Sequence, residues 1–146
     1  MKSLLPEANV IVFEKSNKML AKVKVSGGGR CNVTHACFEV SKLIKNYPRG
    51  SKELRSAFMQ FACTDTVNWF NDRGVELKIE SDGRMFPVSN NSQTIIDCLM
   101  DEAERLGVQF SLGTSIKKVT GNESKIELLF ENDSTIEFDA VLISTG

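Results

Sequence analysis

Two runs of consecutive apolar residues stand out along the chain, VIVF at residues 10–13 and AVLI at residues 140–143. Neither run alternates with polar positions, which is typical of a strand buried on both faces of a parallel sheet. We therefore predict a parallel strand at each place. The glycine-rich polar stretch 17–37 predicts a loop around a short helical turn.

The region 38–74 has the apolar spacing of helices rather than strands. Leu54, Phe58 and Phe61 lie four and three residues apart, so they share one helix face. Breaks in the pattern divide the region into three short helices. We expect these aromatic side chains, together with Trp69, to belong to the core and not to a cofactor site.

The second half of the chain alternates strand and helix patterns. Residues 75–79 and 85–88 are predicted strands on either side of a tight turn, and 92–106 has the spacing of a long amphipathic helix. A further strand follows at 108–112, and residues 115–138 predict an antiparallel β-meander with two polar turns. Strands separated by helical crossovers indicate an α/β fold.

Composition sets limits on the class of protein. The 146 residues, 41% of them hydrophobic, suffice for one ordinary core. A net charge of −1 gives no electrostatic case for nucleic acid or an anionic membrane, so neither is an expected partner. No apolar run approaches the roughly 20 residues of a membrane span. The four cysteines form no CxxC pair, which favours a reducing, cytoplasmic setting.

Three consecutive glycines, Gly27 to Gly29, lead directly into Arg30, Cys31 and Asn32. Glycine is needed where the backbone is left-handed or closely approaches another group. Three interpretations are open: backbone N–H groups facing a phosphate with Arg30 beside it, a loop lying flat against a ring system, or a flexible connector. The arginine and asparagine argue against a mere connector. The run is not a P-loop, because GxxxxGK[ST] is absent.

Glu14 ends the first apolar run. An acidic residue at the end of the second strand of a dinucleotide-binding fold binds the adenosine ribose, roughly 20 residues after a GxGxxG turn. Only 13 residues precede Glu14 and none is glycine. Glu14 is therefore either a ribose ligand whose glycine turn would lie before Met1, or an ordinary polar strand terminus.

Other reactive side chains give weaker signals. Cys31 and Cys37 flank His35, but the spacing is not that of a usual zinc site and we predict no metal. Cys31 beside Arg30 is also a candidate redox thiol, since a cation lowers the pKa of a thiol. His35 is a candidate general acid or base, with an ordinary loop residue as the alternative. Arg84 follows a tight turn and either contacts substrate or only closes a hairpin. The catalytic residues are not identified.

Four motifs together resemble one family. VIVFEKS, KVSGGGRCNVT, DGRMFPVSNNSQTIIDCL and DAVLISTG resemble, in order, the YhiN-type (BaiN-like) bacterial flavoproteins, which are NAD(P)/FAD-dependent oxidoreductases. SGGGRCN and GRMFPVS are specific to that family, whereas the first and last motifs are shared with the wider FAD two-dinucleotide-fold superfamily. The resemblance covers nearly the whole chain.

The resemblance implies a partial, Rossmann-like FAD-binding domain. Glu14 would hold the adenosine ribose, the loop 26–32 would run along the FAD, and Val119 would place backbone near the adenine. The full set of implied cofactor-binding residues is Glu14, Lys15, Ser26, Gly27, Gly28, Gly29, Arg30, Cys31, Asn32, Val119, Thr145 and Gly146.

Such flavoproteins begin with a strand and a GxGxxG turn, so the resemblance also implies that residues 1–146 are an incomplete FAD-binding domain. It would carry a helical insertion at 38–74 and the β-meander at 115–138. We expect the fragment alone to be inactive, to bind FAD weakly or not at all, and to associate through exposed sheet edges. The parent would transfer a hydride or electrons through FAD to a small-molecule substrate, with NAD(P)H as candidate donor. The alternative is a non-enzymatic α/β domain that binds a ligand or partner through Gly27–Gly29.

Overall fold

The computed structural model describes residues 5–122 and 124–145. The chain divides into two compact units, Met1–Met19 with Glu104–Gly146 and Leu20–Ala103. Within the described residues, no helix has both the length and the apolar character needed to cross a bilayer.

The first unit contains a parallel pair of strands, β1 (Ile11–Glu14) and β5 (Gln109–Leu112). Ile11 lies opposite Gln109 and Glu14 lies opposite Leu112. The parallel pairing predicted for the first apolar run is therefore confirmed. The strand is only half-buried along its length, however, and not buried on both faces.

The β-meander predicted at 115–138 is confirmed. It consists of β6 (Ile116–Gly121), β7 (Ile126–Phe130) and β8 (Thr135–Phe138), in the sheet order β6-β7-β8. Leu128 and Phe130 of the central strand are 2% and 5% exposed. The ring of Phe13 on β1 lies 5.1 Å from that of Phe130, so aromatic packing joins the meander to the parallel pair.

The parallel strand predicted at 140–143 is wrong. The backbone there forms no strand, and the side chains of Leu142 and Ile143 are 80% and 65% exposed. An apolar run becomes a buried strand only where neighbouring strands hydrogen-bond its backbone and cover its faces. In the described part of the chain the parallel sheet consists of β1 and β5 alone, and neither pairs with this run.

The second unit contains a three-stranded antiparallel sheet with helices. In chain order its elements up to the long helix are α1 (Ala21–Gly29), β2 (Thr34–His35), α2 (Val40–Leu43), a 3-10 turn (Ile44–Asn46), α3 (Ser51–Gln60), α4 (Cys63–Asn71), β3 (Leu77–Ile79) and β4 (Arg84–Pro87). The sheet order is β2-β4-β3. The long helix α5 (Ser92–Arg105) follows, as its apolar spacing predicted.

The core of the second unit includes side chains of β4 and α5. Phe86 is fully buried, and Ile95 is 2% exposed. Around Ile95 lie Cys31, Phe70, Val75 and Cys98.

Residues 17–37 contain the predicted short helical turn within a loop, because α1 leaves helical backbone angles at Ser26, Gly27 and Gly28. One prediction for this unit needs correction. Phe61 was placed on a buried helix face, but α3 ends at Gln60 and the Phe61 side chain is 55% exposed. Phe61 continues the apolar spacing of the helix, but the helix itself ends one residue earlier and the backbone at Phe61 is extended.

Candidate functional site

The glycine run forms a left-handed turn at the end of α1. Ser26 is extended, and Gly27, Gly28 and Gly29 then take φ values of 56°, 68° and 83°. The Ser26 carbonyl oxygen closes the turn by accepting from the N–H groups of Arg30 and Cys31. A left-handed backbone costs roughly 1–2 kcal/mol per L-residue, so three in succession favour glycine. A closed turn of this kind argues against the flexible-connector interpretation.

The glycines of this turn differ in their surroundings. A Cβ on Gly27 would lie 2.8 Å from a ring carbon of Phe86 and 2.9 Å from the Asn32 nitrogen. Cβ atoms on Gly28 and Gly29 would meet nothing within 4 Å. The packing of this chain therefore accounts for Gly27, whereas Gly28 and Gly29 present bare backbone with open space in front of it. That arrangement fits a flat ring or a phosphate group lying against the turn.

Arg30 lies over the buried ring of Phe86. Its guanidinium carbon is 4.0 Å from the ring centroid, and its Nη1 donates to Oε1 of Glu80. Arg84 approaches the same ring at 5.3 Å, and its Nε donates to Oδ2 of Asp82 at 2.7 Å. The two arginines and two carboxylates balance in charge. Arg30 is thus oriented by its neighbours, and a bound anion would share it with Glu80.

The Asp82 carboxylate organises the turn before β4. It accepts from the backbone N–H of Arg84 at 3.1 Å as well as from the guanidinium. These two hydrogen bonds, the backbone one first, lower the pKa of Asp82 below its usual range. The aspartate therefore keeps its charge, and its contact with Arg84, to a lower pH than an aspartate without these partners.

The residues next to the glycine turn are held by backbone contacts. The Asn32 amide lies 3.0 Å from the Thr34 carbonyl oxygen and 3.2 Å from that of Met85, so its NH₂ group donates to both. Cys31 has a left-handed φ of 61° and a side chain that is 7% exposed in the core. Redox thiols lie in partly exposed, electropositive surroundings, so burial disfavours that interpretation of Cys31.

His35 packs on the hairpin turn. Its Nε2 lies 3.1 Å from the Asp82 carbonyl oxygen, and a Cβ on Gly83 would lie 2.5 Å from the imidazole. These contacts give His35 a structural role, because its ring packs against the turn at Asp82 and Gly83. Among residues 5–122 and 124–145 no group of three His, Cys, Asp or Glu side chains is placed to bind a metal ion.

Glu14 lies at the carboxyl end of β1, the edge at which open α/β sheets bind ligands. Its Oε1 accepts from the Ser16 N–H at 2.7 Å, and its carbonyl oxygen accepts from the Thr114 N–H at 3.0 Å. The carboxylate is therefore positioned by the turn that follows the strand. This is compatible with a ribose ligand and with a simple strand terminus.

Sequence reasoning missed a cleft in the first unit. It has a volume of about 450 Å³ and is lined by apolar rings and small polar side chains, among them Phe13, Ser111, Thr114, Phe130, Asn132 and Ser134. These residues come from β1, the end of β5 and the turn between β7 and β8. No spacing along the sequence indicates that such separate segments meet.

The predicted site residues divide between the two units. Glu14, Lys15, Val119 and Thr145 belong to the first unit, and Gly146 lies outside the described residues. The loop 26–32 and Arg84 belong to the second, where the ring of Phe86 brings Arg30 and Arg84 together. Glu80 was missed, although it stands four residues before Arg84, and it is the carboxylate that both arginines approach.

Three curated relatives resemble this chain. Ribosomal RNA dihydrouridine synthase of Escherichia coli (strain K12) is 29% identical over 94% of the chain and 33% of its own length. The enzyme of the same name from Haemophilus influenzae is 23% identical over 94% of the chain and 34% of its own length. The 3-dehydro-bile acid delta(4,6)-reductase of Clostridium scindens is 24% identical over 76% of the chain and 26% of its own length.

The chain thus spans about a third of the length of the first two relatives. The HI0933-like protein Rossmann domain matches it over residues 2–146, and this match confirms the α/β, Rossmann-like class and the resemblance to YhiN-type (BaiN-like) flavoproteins. The chain belongs to the HI0933-like Rossmann-domain family.

Proposed function

We propose that this chain is the FAD-binding part of a flavin-dependent reductase. The observation that carries the proposal is the left-handed turn at Gly28 and Gly29, whose backbone faces open space in a chain of this flavoprotein family. When bound, FAD would supply the hydride chemistry, with NAD(P)H as electron donor.

The roles of individual residues follow from their placement. Gly28 and Gly29 would lie against the cofactor, and Arg30, held by Glu80, would supply a fixed positive charge beside it. Glu14 would bind the adenosine ribose at the carboxyl edge of β1. As the family resemblance implies, Val119 would place backbone near the adenine, and Lys15 and Thr145 would be further contacts to the FAD.

The names of the relatives suggest the class of reaction. Dihydrouridine is uridine with one carbon–carbon double bond reduced, and a delta(4,6)-reductase also acts on carbon–carbon double bonds. We therefore propose reduction of a double bond conjugated to a carbonyl. One carbon would receive a hydride and the other a proton, and NAD(P)H would be oxidised. The substrate is a small molecule in one relative and ribosomal RNA in two.

The cofactor content of the purified gene product that contains this chain tests the proposal. We expect flavin absorbance near one equivalent, release of FAD and not FMN on denaturation, and bleaching by NADH or NADPH without oxygen. A colourless protein that also fails to take up added FAD would contradict it. Protein that binds FAD but is not reduced by either nicotinamide would leave the binding role and overturn the choice of donor.

A further inference from the structure

The residues from Phe38 to Phe61, which we call the helical segment, carry a charge unlike the rest of the chain. They include five cationic side chains and two carboxylates, a balance of +3, whereas the whole chain has −1. The cations are Lys42, Lys45, Arg49, Lys52 and Arg55, and all five are exposed. The overall balance, from which no nucleic-acid partner was expected, therefore conceals a strongly basic surface.

The two carboxylates leave most of this charge free for another partner. Glu39 pairs with Lys42 at 2.5 Å, in contact across one helical turn. Lys45 follows on the 3-10 turn, Arg49 lies in the connection to α3, and Lys52 and Arg55 lie one turn apart on α3. Clustered cations of this kind are the electrostatic footprint of phosphate backbone binding.

An open groove lies within the same surface. It has a volume of about 260 Å³ and is lined by Ile44, Lys45, Tyr47, Pro48 and Ser51. Tyr47 is 39% exposed, and its ring packs against that of Phe58 in a tilted contact with 5.3 Å between the ring centroids. A supported aromatic ring beside a proline and a lysine is suited to stacking a planar base while holding its phosphate.

We propose that the helical segment binds single-stranded RNA, with a base stacked at Tyr47 and Pro48 and the backbone contacting Lys45, Arg49 and Lys52. The inference deepens the proposed function and rests on it for the class of substrate. RNA is favoured because the groove offers a stacking platform, and because the first two relatives are named for action on ribosomal RNA.

An anionic membrane is the competing partner for a basic surface. Met59 and Phe61 beyond the groove are 70% and 55% exposed, and apolar side chains beside lysines can also insert among lipids. A stacking groove would contribute little to that kind of binding. The experiment therefore measures both partners with the same variants.

Binding of a short fluorescein-labelled oligouridylate to the purified gene product tests the inference. We expect Lys45→Gln/Lys52→Gln to weaken binding at least tenfold. We also expect it to reduce the slope of log affinity against log salt by about 1.4, the value for two lost single-strand phosphate contacts. Tyr47→Ala should weaken binding about tenfold by removing one stacking ring, whereas Tyr47→Phe should keep wild-type affinity.

The matched control is Lys22→Gln/Lys118→Gln, which removes the same charge from two exposed lysines outside the segment. Equal loss of affinity in this control, or no loss in the Lys45 and Tyr47 variants, would overturn the inference. Binding to phosphatidylserine vesicles that depends on Lys45 and Lys52, without oligouridylate binding, would also overturn it. Flavin content is measured on the same samples. A protein that binds RNA but not FAD would contradict the proposed function and leave this inference standing.

Discussion

Individual residues show how the hairpin before β4 orients its charges. Arg84 is held by Asp82, and both Arg84 and Arg30 approach Glu80 over the ring of Phe86. These ion pairs are partly exposed, so each contributes little to stability by itself. Their effect is to fix the direction of two guanidinium groups beside the open glycine turn.

Removal of the Arg84 side chain should raise the pKa of Asp82 only partly. Arg84→Ala deletes the guanidinium contact, but the backbone N–H, the larger cause of the lowered pKa, remains. The pKa should therefore rise and still stay below the usual aspartate range. Carboxyl chemical shifts of Asp82 followed against pH measure it. An unchanged pKa, or complete return to the usual range, would contradict the assignment of causes.

The sign of the linked pH effect follows from that direction. Because the pKa of Asp82 is lower in the folded chain, its stabilising contribution is fully present above the usual carboxyl pKa. The contribution is lost as pH falls through the lowered value. The hairpin should therefore loosen only at acid pH, and earlier in Arg84→Ala than in the wild type.

The four thiols should react at different rates. Cys31, Cys63 and Cys98 are buried, and burial also raises the pKa of the Cys98 thiol, whereas Cys37 is half-buried. Under native conditions Cys37 should be labelled first by a maleimide, with the other three labelled only on unfolding. Peptide mapping by mass spectrometry identifies the site. Early labelling of Cys31 would revive its interpretation as a redox thiol.

At the scale of elements, the left-handed turn at the end of α1 contains one closely packed glycine, Gly27, and two glycines with open space in front of them, Gly28 and Gly29. Gly27→Ala would bring a Cβ to 2.8 Å from Phe86 in addition to the left-handed strain. Gly28→Ala would carry similar strain, at φ 68°, with no steric contact. We expect Gly27→Ala to lower the free energy of unfolding by about 2 kcal/mol more than Gly28→Ala, as measured in urea. Equal losses would show that the contacts with the Phe86 ring and the Asn32 backbone nitrogen both relax without cost.

The elements that local signals define were predicted from the sequence. The hairpin at 81–84 and the turns of the β-meander carry their own glycine, asparagine and aspartate, and α5 has a long apolar stripe. The glycine run predicted a left-handed or closely packed backbone, but its contacts with Phe86 and the Ser26 carbonyl were not predicted, because only the fold brings these groups together. The parallel strand predicted at 140–143 is wrong, because the burial of an apolar run depends on neighbouring strands and not on the run itself.

In the candidate site, too, some residues are recognisable from the local sequence and others only from the contacts that the fold creates. The glycines, Arg30 and Glu14 were recognisable because their residue types are unusual in their positions. Glu80 and Phe86 were not, since an acidic residue and an aromatic residue in a hairpin are ordinary until the fold brings Arg30 to them. The basic surface of the helical segment was hidden by a charge balance taken over the whole chain.

At the scale of the whole molecule, each unit carries residues of its own for which a cofactor contact is proposed. In the first unit this residue is Glu14 at the carboxyl edge of the parallel pair, and in the second it is the glycine turn with Arg30. The central claim is that the backbone at Gly28 contacts FAD, and that a side chain at this position would obstruct the contact. Backbone strain alone would also explain a glycine there, so the decisive measurement must separate the two.

The most direct test compares FAD affinity in Gly28→Ala and Gly107→Ala of the gene product that contains this chain. Both glycines have a φ of 68° and nothing within 4 Å of an added Cβ, so the two substitutions impose the same local strain. We predict that FAD affinity, measured by quenching of flavin fluorescence, falls at least tenfold in Gly28→Ala and less than twofold in Gly107→Ala. Equal affinity in the two variants would contradict the assignment of this turn to the cofactor.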